Sequence, residues 1–358
     1  MTSGPAPTPA EAATRLLRDV IAAAVAGSNL GEGTMRAVIA AIMDGLATPA
    51  QIGSLLTALR IKGETVDELV GTARAMRARM LRVPTIGPVV DTCGTGGDGA
   101  ELFNVSTAVA LVVAGAGAAV AKHGNRAQSG RVGGADVLEA LGVRIDLAPA
   151  GVVRCIERAG VGFCFAPRFH GAMRFAAGPR REIGLRTIFN FVGPLANPAE
   201  ASIQLVGVSE PKWTEPMAEA LRRLGVMRAM VVHGNEGIDE ISTVRSTRVS
   251  EVGAAGVRTY ELQPRDFGLT AGSTPPPRVA DVAESAAVIR AVLAGAPGPA
   301  RDLVLVNAAA ALVLAGRAAD WLAGMAAAAA AVDGGAAARA LARLVETSNE
   351  YEAREPEP

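Results

Sequence analysis

The feature that most constrains the fold is a glycine-rich stretch, DTCGTGGDG, at residues 91–99. The short apolar run Pro88-Val89-Val90 before it predicts a buried strand, and the apolar residues 103–115 after it predict a helix. A strand, a glycine-rich loop and a helix start are a typical phosphate-binding arrangement, because glycines let backbone N–H groups come close to the anion.

Polar residues open the predicted helix. Asn104, Ser106 and Thr107 could cap it or donate hydrogen bonds to phosphate oxygens. A tight turn followed by an ordinary helix cap would use the same residues, and the glycine spacing alone does not separate these two interpretations.

A second strand and loop follow. Residues 118–121 predict a strand that leads into Lys122-His123-Gly124-Asn125-Arg126, and residues 133–136 then lead into another helix. Only three of the 35 cationic side chains are lysines, so Lys122 stands out in a chain that prefers arginine. A compact ammonium suits a phosphate, although a chance lysine remains the alternative on this argument alone.

Taken together, the motifs GTGGDG, FNVST, KHGNR and GGADVLEALG resemble those of anthranilate phosphoribosyltransferases in order and spacing. The resemblance continues through RTIFNFVGPLANP at 186–198 and VVHGNEGIDEIS at 231–242, and it covers about residues 15–345. It implies a Mg²⁺-dependent transfer of the phosphoribosyl group from phosphoribosyl diphosphate (PRPP) to the amine of anthranilate, in tryptophan biosynthesis.

The apolar pattern predicts two domains in an α/β protein. Residues 13–84 have helical spacing throughout, and from Pro88 strands and helices alternate, which favours a mostly parallel sheet covered by helices. We expect antiparallel strands at 248–262, a further strand at 143–147, a catalytic domain at 85–345, and disordered tails at 1–12 and 346–358. The resemblance adds helices from about 180–200 to the helical domain. It also implies a nucleoside phosphorylase-like fold and a homodimer formed through the helical domain.

The resemblance also assigns the donor site. It places PRPP at Gly94, Thr95, Gly97, Asp98, Asn104, Ser106, Thr107, Lys122 and Gly134. Asp239 and Glu240, adjacent carboxylates after an apolar strand, have the oxygen ligands that Mg²⁺ prefers. For a bare pair, a solvated acidic loop is the better explanation, but the resemblance assigns Mg²⁺ to this pair and to Ser106.

Anthranilate, the substrate that accepts the phosphoribosyl group, carries a carboxylate. An arginine suits this group, because its guanidinium can donate two parallel hydrogen bonds. The resemblance assigns this role to Arg180, and it adds Gly94, His123, Asn125 and His170 to the anthranilate site. Lys122, Asn125 and Arg180 are the predicted catalytic residues.

Four positions depart from the family pattern, and they leave open whether the acceptor is anthranilate or a substituted one. They are Val132, where the family has a small hydroxyl residue, Gly171, and the Gly178-Pro179 pair. The sequence also leaves open primary or secondary metabolism and a glutamine amidotransferase partner.

Composition bears on other classes of function. A net charge of zero and 3% aromatic residues argue against nucleic-acid binding, and no stretch predicts a membrane span. Three irregularly spaced cysteines predict a reduced, cytoplasmic location. The alternatives are a pyrimidine nucleoside phosphorylase, which KHGNR and RTIFNFVGPLANP oppose, and a non-catalytic nucleic-acid-binding relative, which the Asp239-Glu240 pair opposes.

Overall fold

A computed structural model describes residues 8–127, 132–270 and 274–350. The outer parts of the predicted tails, residues 1–7 and 351–358, lie outside the described residues.

The elements are numbered in chain order. The helices are α1 Pro9–Val25, α2 Glu32–Met43, α3 Pro49–Lys62, α4 Val66–Arg77, α5 Val105–Gly115, α6 Gly134–Ala140, α7 Pro149–Ala159, α8 Ala166–Phe169, α9 Arg174–Ile183, α10 Ile188–Phe191, α11 Thr214–Arg223, α12 Val282–Leu293, α13 Pro299–Leu314, α14 Trp321–Asp333 and α15 Ala336–Glu350. The strands are β1 Val90–Gly94, β2 Val120–Gly124, β3 Val161–Phe165, β4 Ile203–Gly207, β5 Arg228–Gly234, β6 Thr247–Gly253 and β7 Gly256–Leu262.

The helices at both ends extend beyond the predicted domain limits. Thr8 and Glu11 form a capping box, in which the Thr8 hydroxyl accepts from the Glu11 N–H at 3.3 Å and the Glu11 carboxylate accepts from the Thr8 N–H at 2.8 Å. At the other end, Ser348 accepts from the Arg144 N–H at 3.1 Å, and the Asn349 amide donates to the Gly142 carbonyl at 2.9 Å. The prediction of disorder was therefore wrong for residues 8–12 and 346–350.

The chain forms two compact units. The helical unit contains residues 8–80 and His170–Ala196, so the returning segment starts at His170 rather than near residue 180. Within it, α2 packs on α4, α1 packs on α3, and α9 contacts α2 and α3. A buried ion pair of 3.0 Å joins Lys62 to Glu68.

The α/β unit contains Leu81–Phe169 and residues 197–350. Its sheet has the order β3-β2-β1-β4-β5-β6-β7, with parallel pairing from β3 to β5. The last two strands are antiparallel, as predicted for residues 248–262. The fold class predicted from the sequence is thus confirmed.

Within the described residues, no single helix is long and apolar enough to cross a membrane. Helices α14 and α15 meet the length and composition criteria only when they are counted together, and the chain bends between them.

One predicted strand is wrong. Val143, Ile145 and Leu147 are buried in alternation, as in a strand, but residues 143–147 pair with no strand of the sheet. Their side chains pack into the hydrophobic core of the α/β unit before α7 begins. Alternating burial needs only an extended chain over a core, so the pattern did not prove sheet pairing.

Strand β1 marks the place where the strand order reverses. From β1 the chain adds β2 and β3 on one side, and β4 and β5 lie on the other side. In open α/β sheets, ligands bind outside the carboxyl ends of the strands at such a reversal. The glycine-rich loop lies there, because it leaves the carboxyl end of β1.

Candidate functional site

The glycine-rich loop is shaped by close packing against Asp239. Gly94 and Gly207 are paired residues at the ends of β1 and β4. A Cβ atom on Gly94 would lie 2.5 Å from Asp239 Oδ2, and one on Gly207 would overlap the Asp239 carbonyl oxygen. Gly96 has a φ of +61°, in the left-handed region that favours glycine. The glycines therefore bring the acidic segment directly against the loop.

Hydrogen bonds join the loop to that acidic segment. Asp239 Oδ2 accepts from the Gly96 N–H at 3.1 Å, and the Asp239 N–H donates to Asp98 Oδ2 at 3.3 Å. Burial raises the pKa of Asp239, and the neighbouring charge of Asp98 raises it further. Burial, followed by the charge of Asp239, likewise raises the pKa of Glu240 well above its usual value. These half-buried carboxylates favour a positively charged ligand.

The start of α5 is capped as predicted. Asn104 Oδ1 accepts from the Thr107 N–H at 3.1 Å and from the Ser106 hydroxyl at 3.3 Å. The first-turn N–H groups of a helix lack partners within the helix and favour an anion.

Lys122 lies in the middle of β2, with only 4% of its surface exposed. Its Nζ donates to the Thr92 carbonyl at 2.6 Å and to the Ser106 hydroxyl at 2.9 Å. Burial lowers the pKa of Lys122, and the charge of Asp91 opposes that shift. The ammonium is therefore tied to the two segments that flank the glycine-rich loop.

Gly134, at the start of α6, completes this group. A Cβ atom there would lie 3.6 Å from Thr107 Oγ1, 3.7 Å from Lys122 Cε and 3.8 Å from Asn104 Oδ1. The Thr107 hydroxyl is buried and has no hydrogen-bond partner among the described residues. Buried hydroxyl groups are normally paired, so this one fits a ligand oxygen.

A buried pair, Asp91 and Asn197, lies beneath the site and was not predicted from the sequence. Asp91 accepts from the His123 N–H at 3.1 Å and from the Asn197 amide at 2.7 Å, and the same amide donates to the Ala121 carbonyl at 2.8 Å. Burial raises the pKa of Asp91, and Lys122 opposes that shift. Asn197 lies in the motif GPLANP, which was the available sequence signal. The pair ties β1 to the segment that carries Lys122.

Asn125 shapes the turn after β2. Its carbonyl accepts from the Ala135 N–H at 3.2 Å, and its side-chain oxygen accepts from the Arg126 N–H at 2.8 Å. An oxygen with two lone pairs can accept a second hydrogen bond, so these bonds leave Asn125 available to an amine. His123 is buried beside this turn.

Two residues of the predicted anthranilate site, Arg180 and His170, belong to the helical unit. The Arg180 guanidinium lies 5.3 Å from the ring centroid of Phe189, and burial lowers the pKa of this arginine. His170 Nε2 lies 3.0 Å from the Ala196 carbonyl, and burial lowers the pKa of His170 to about 4. A carbonyl only accepts, so the neutral imidazole donates from Nε2.

The residues that depart from the family pattern lie in three places of the structure. Val132 is partly buried against the hydrophobic core of the α/β unit. Gly171 opens a short 3₁₀ turn before α9, and Pro179 lies inside α9.

The charges of the α/β unit decide which ligands fit. Lys122 is the ammonium at the loop, while Asp98, Asp239 and Glu240 are the carboxylates beside it. A diphosphate would be repelled by these carboxylates unless a cation lay between them. The donors are oxygens, which suit Mg²⁺, although the described residues hold no group of three His, Cys, Asp or Glu placed to bind a metal by themselves. Phosphate oxygens and water would complete such a site.

The chain is similar to known proteins over most of its length. Models of the glycosyl transferase family match residues 18–80 as its helical bundle domain and 86–338 as its a/b domain. An anthranilate phosphoribosyltransferase of Moorella thermoacetica is 52% identical over 336 residues, which are 92% of this chain and 98% of the relative.

Two solved structures are also similar. The anthranilate phosphoribosyltransferase of Thermus thermophilus has a TM-score of 0.85 at 43% identity, over 92% of this chain and 99% of that one. The Saccharomyces cerevisiae enzyme in complex with PRPP and Mg has a TM-score of 0.86 at 25% identity, over 94% of this chain and 98% of that one. These matches support neither a nucleoside phosphorylase nor a nucleic-acid-binding relative.

Proposed function

The chain belongs to the anthranilate phosphoribosyltransferase family, and from that premise we propose how its residues carry out the transfer. The products are N-(5-phosphoribosyl)anthranilate and diphosphate, as one step of tryptophan biosynthesis. The observation that carries the proposal is the convergence of the glycine-rich loop, the start of α5, Lys122 and the acidic pair at one edge of the sheet.

PRPP would bind through the loop and the two helix starts beside it. Backbone N–H groups of the loop, at Gly97 and Asp98, and the hydroxyl groups of Ser106 and Thr107 would supply donors to phosphate oxygens. Lys122 adds a fixed positive charge, supported by its buried contacts with Thr92 and Ser106. As the C1–O bond to diphosphate breaks, these donors stabilise the charge that develops on the leaving group.

Asp239, Glu240 and Ser106 would hold Mg²⁺ together with diphosphate oxygens. The support is their oxygen chemistry and the raised pKa of both carboxylates, which a cation would reverse. When bound, Mg²⁺ neutralises diphosphate charge and so makes diphosphate a better leaving group.

The acceptor would be held by its carboxylate and its amine. Arg180 is the residue proposed to bind the carboxylate, and Asn125 the one proposed to accept a hydrogen bond from the amine. His123, His170 and Gly94 are the further residues proposed to contact anthranilate. The amine forms the new C1–N bond as the C1–O bond to diphosphate breaks, and it releases one proton to the solvent. An aromatic amine is already neutral at pH 7, so this step needs no strong general base.

Acceptor identity is tested by a fluorescence assay. Anthranilate consumption is followed with and without PRPP and Mg²⁺, and ring-substituted anthranilates are compared by kcat/KM. A substituted acceptor with the higher kcat/KM would replace anthranilate as the proposed substrate.

Arg180→Ala is expected to raise the KM for anthranilate roughly tenfold or more, because a charge-assisted hydrogen bond is lost. The KM for PRPP should change far less. Steady-state kinetics with each substrate varied in turn measure both values. Arg181→Ala is the matched control, since Arg181 is an exposed neighbour on the same helix. Equal rises in both KM values would show that Arg180 acts mainly on the structure.

A homodimer through the helical unit is supported by exposed apolar side chains. Val25 ends α1 and Ile61 lies near the end of α3, and these packed helices leave them 73% and 82% exposed. Large apolar side chains left exposed can contribute to an interaction surface.

Ile61→Glu is therefore expected to convert the dimer to a monomer, because burying a carboxylate at an apolar interface is costly. Light scattering coupled to gel filtration measures the mass. Met227→Glu is the control, since Met227 is 60% exposed on the α/β unit. A dimer that persists in Ile61→Glu but is lost in Met227→Glu would move the interface to the α/β unit.

We also propose a cytoplasmic location. Cys93, Cys155 and Cys164 are free thiols, two of them buried, as is usual in a reducing compartment.

A further inference from the structure

Asn307 is a fully buried polar residue in an otherwise apolar stretch of α13. An amide in such surroundings is costly to bury unless its donors and acceptor are paired. Its Oδ1 accepts from the Ile241 N–H at 2.9 Å, and its Nδ2 donates to the Ile241 carbonyl at 3.1 Å and to the Leu303 carbonyl at 2.9 Å. Two of its three bonds thus go to a single residue of another segment.

That residue directly follows the acidic pair. Bonds to both the N–H and the C=O of Ile241 fix the direction of the chain at this residue, much as pairing with a neighbouring strand would. On the other side of the pair, the Gly96 N–H and the Asp98 carboxylate hold Asp239. The two carboxylates therefore lie on a short segment anchored at both ends.

Further along, the segment is braced by its own side chains. The Ser242 N–H donates to the Thr247 hydroxyl at 2.8 Å, and the Ser242 hydroxyl accepts from the N–H groups of Val244 and Arg245 at 2.9 and 2.8 Å. These bonds stabilise the turn after Ile241 but do not attach it to a helix. Asn307 makes that attachment, through side-chain bonds 66 residues away in the sequence.

We propose that Asn307 is a positioning residue, which holds the segment after Glu240 so that the carboxylates of Asp239 and Glu240 keep the orientation that binds the divalent cation. This inference rests on the metal role proposed above for the two carboxylates. Asn307 itself acts only through the backbone of Ile241.

The first test needs no metal and no substrate. Hydrogen exchange of the Ile241 amide is measured by NMR or by mass spectrometry of short peptides in the metal-free full-length protein. Asn307→Leu keeps the shape of the side chain and removes its hydrogen bonds, so exchange should become roughly tenfold to a hundredfold faster. Asn307→Asp keeps an oxygen that can accept from Ile241, and it serves as the second variant if Asn307→Leu does not fold.

The second test compares magnesium activation. In Asn307→Leu, the Mg²⁺ concentration for half-maximal turnover should rise roughly tenfold, while kcat at saturating Mg²⁺ changes only about threefold. Leu312→Ala is the control, because it removes buried methyl groups from the same helix and leaves the hydrogen bonds between Asn307 and Ile241 in place. It should lower the melting temperature and leave both readouts at wild-type values.

The outcomes separate the two proposals. Suppose that the Asn307 variants keep wild-type exchange and a wild-type Mg²⁺ response, while the Asp239→Asn, Glu240→Gln double variant is defective. This result would overturn the positioning role alone. If Leu312→Ala changes amide exchange and the Mg²⁺ response as much as Asn307→Leu does, the Asn307 substitution acts through overall stability. A normal Mg²⁺ response in the double carboxylate variant would overturn the metal role itself, and the positioning role with it.

Discussion

Changing Asp239 to Asn and Glu240 to Gln together is expected to lower kcat/KM by roughly a thousandfold or more, with the fold intact. Both substitutions keep the side-chain size and remove the negative charges that would hold Mg²⁺ beside the diphosphate. Metal stabilisation of transition-state charge amounts to several kcal/mol, and each 1.4 kcal/mol is about tenfold in rate. The measurement is anthranilate consumption against Mg²⁺ concentration, with circular dichroism to check the fold.

The control must remove two charges elsewhere. Glu157→Gln with Glu346→Gln does so at exposed positions on α7 and α15, and it should behave as wild type. A chelator should abolish wild-type turnover, and added Mg²⁺ should restore it. Full activity of the double variant in excess chelator would contradict the metal role.

The same carboxylates give a pH dependence with a defined sign. Burial raises the pKa of each carboxyl group in the metal-free protein, so protons compete with the cation as the pH falls. The Mg²⁺ concentration for half-maximal turnover should therefore increase as the pH is lowered toward and below neutrality. This dependence should disappear in the double variant.

Lys122→Met is expected to lower kcat/KM for PRPP by roughly a hundredfold or more, in line with the loss of a fixed charge at a developing anion. Lys122→Arg should also lose activity, although it keeps the charge. The lysine is 4% exposed and donates to Thr92 and Ser106 at 2.6 and 2.9 Å, so a planar guanidinium would have to displace one of these contacts. Steady-state kinetics and calorimetric titration with PRPP and Mg²⁺ measure both effects.

Lys212→Met is the matched control, because Lys212 is an exposed lysine paired with Glu210 at the surface. It should keep wild-type kinetics, since surface ion pairs contribute little. Unchanged binding and turnover in Lys122→Arg would remove the argument from side-chain shape and leave only the charge.

Much of the candidate site was open to prediction because its parts are local. The loop at 91–99, the Asn104 cap and Lys122 in β2 lie in short stretches, in which glycines, capping residues and a strand determine the conformation over a few residues. The capping box of Thr8 and Glu11 is equally local, but the prediction of a disordered tail over residues 1–12 did not take it into account. The strand predicted at 143–147 shows the limit of periodicity, because burial alternates there without a pairing partner.

The sequence alone predicted the helical and α/β parts and the mostly parallel sheet, because these depend on contiguous residues and periodic apolar side chains. Its motifs, through their resemblance to a known family, supplied the residues proposed for the donor site. Only the tertiary structure decided which distant groups meet. Asp239 packs against the glycines that end β1 and β4, Asn197 ties Asp91 to β2, and Asn307 holds Ile241. The reason is physical: a hydrogen bond between residues 66 apart depends on how the sheet and helices stack, and no local pattern encodes that distance.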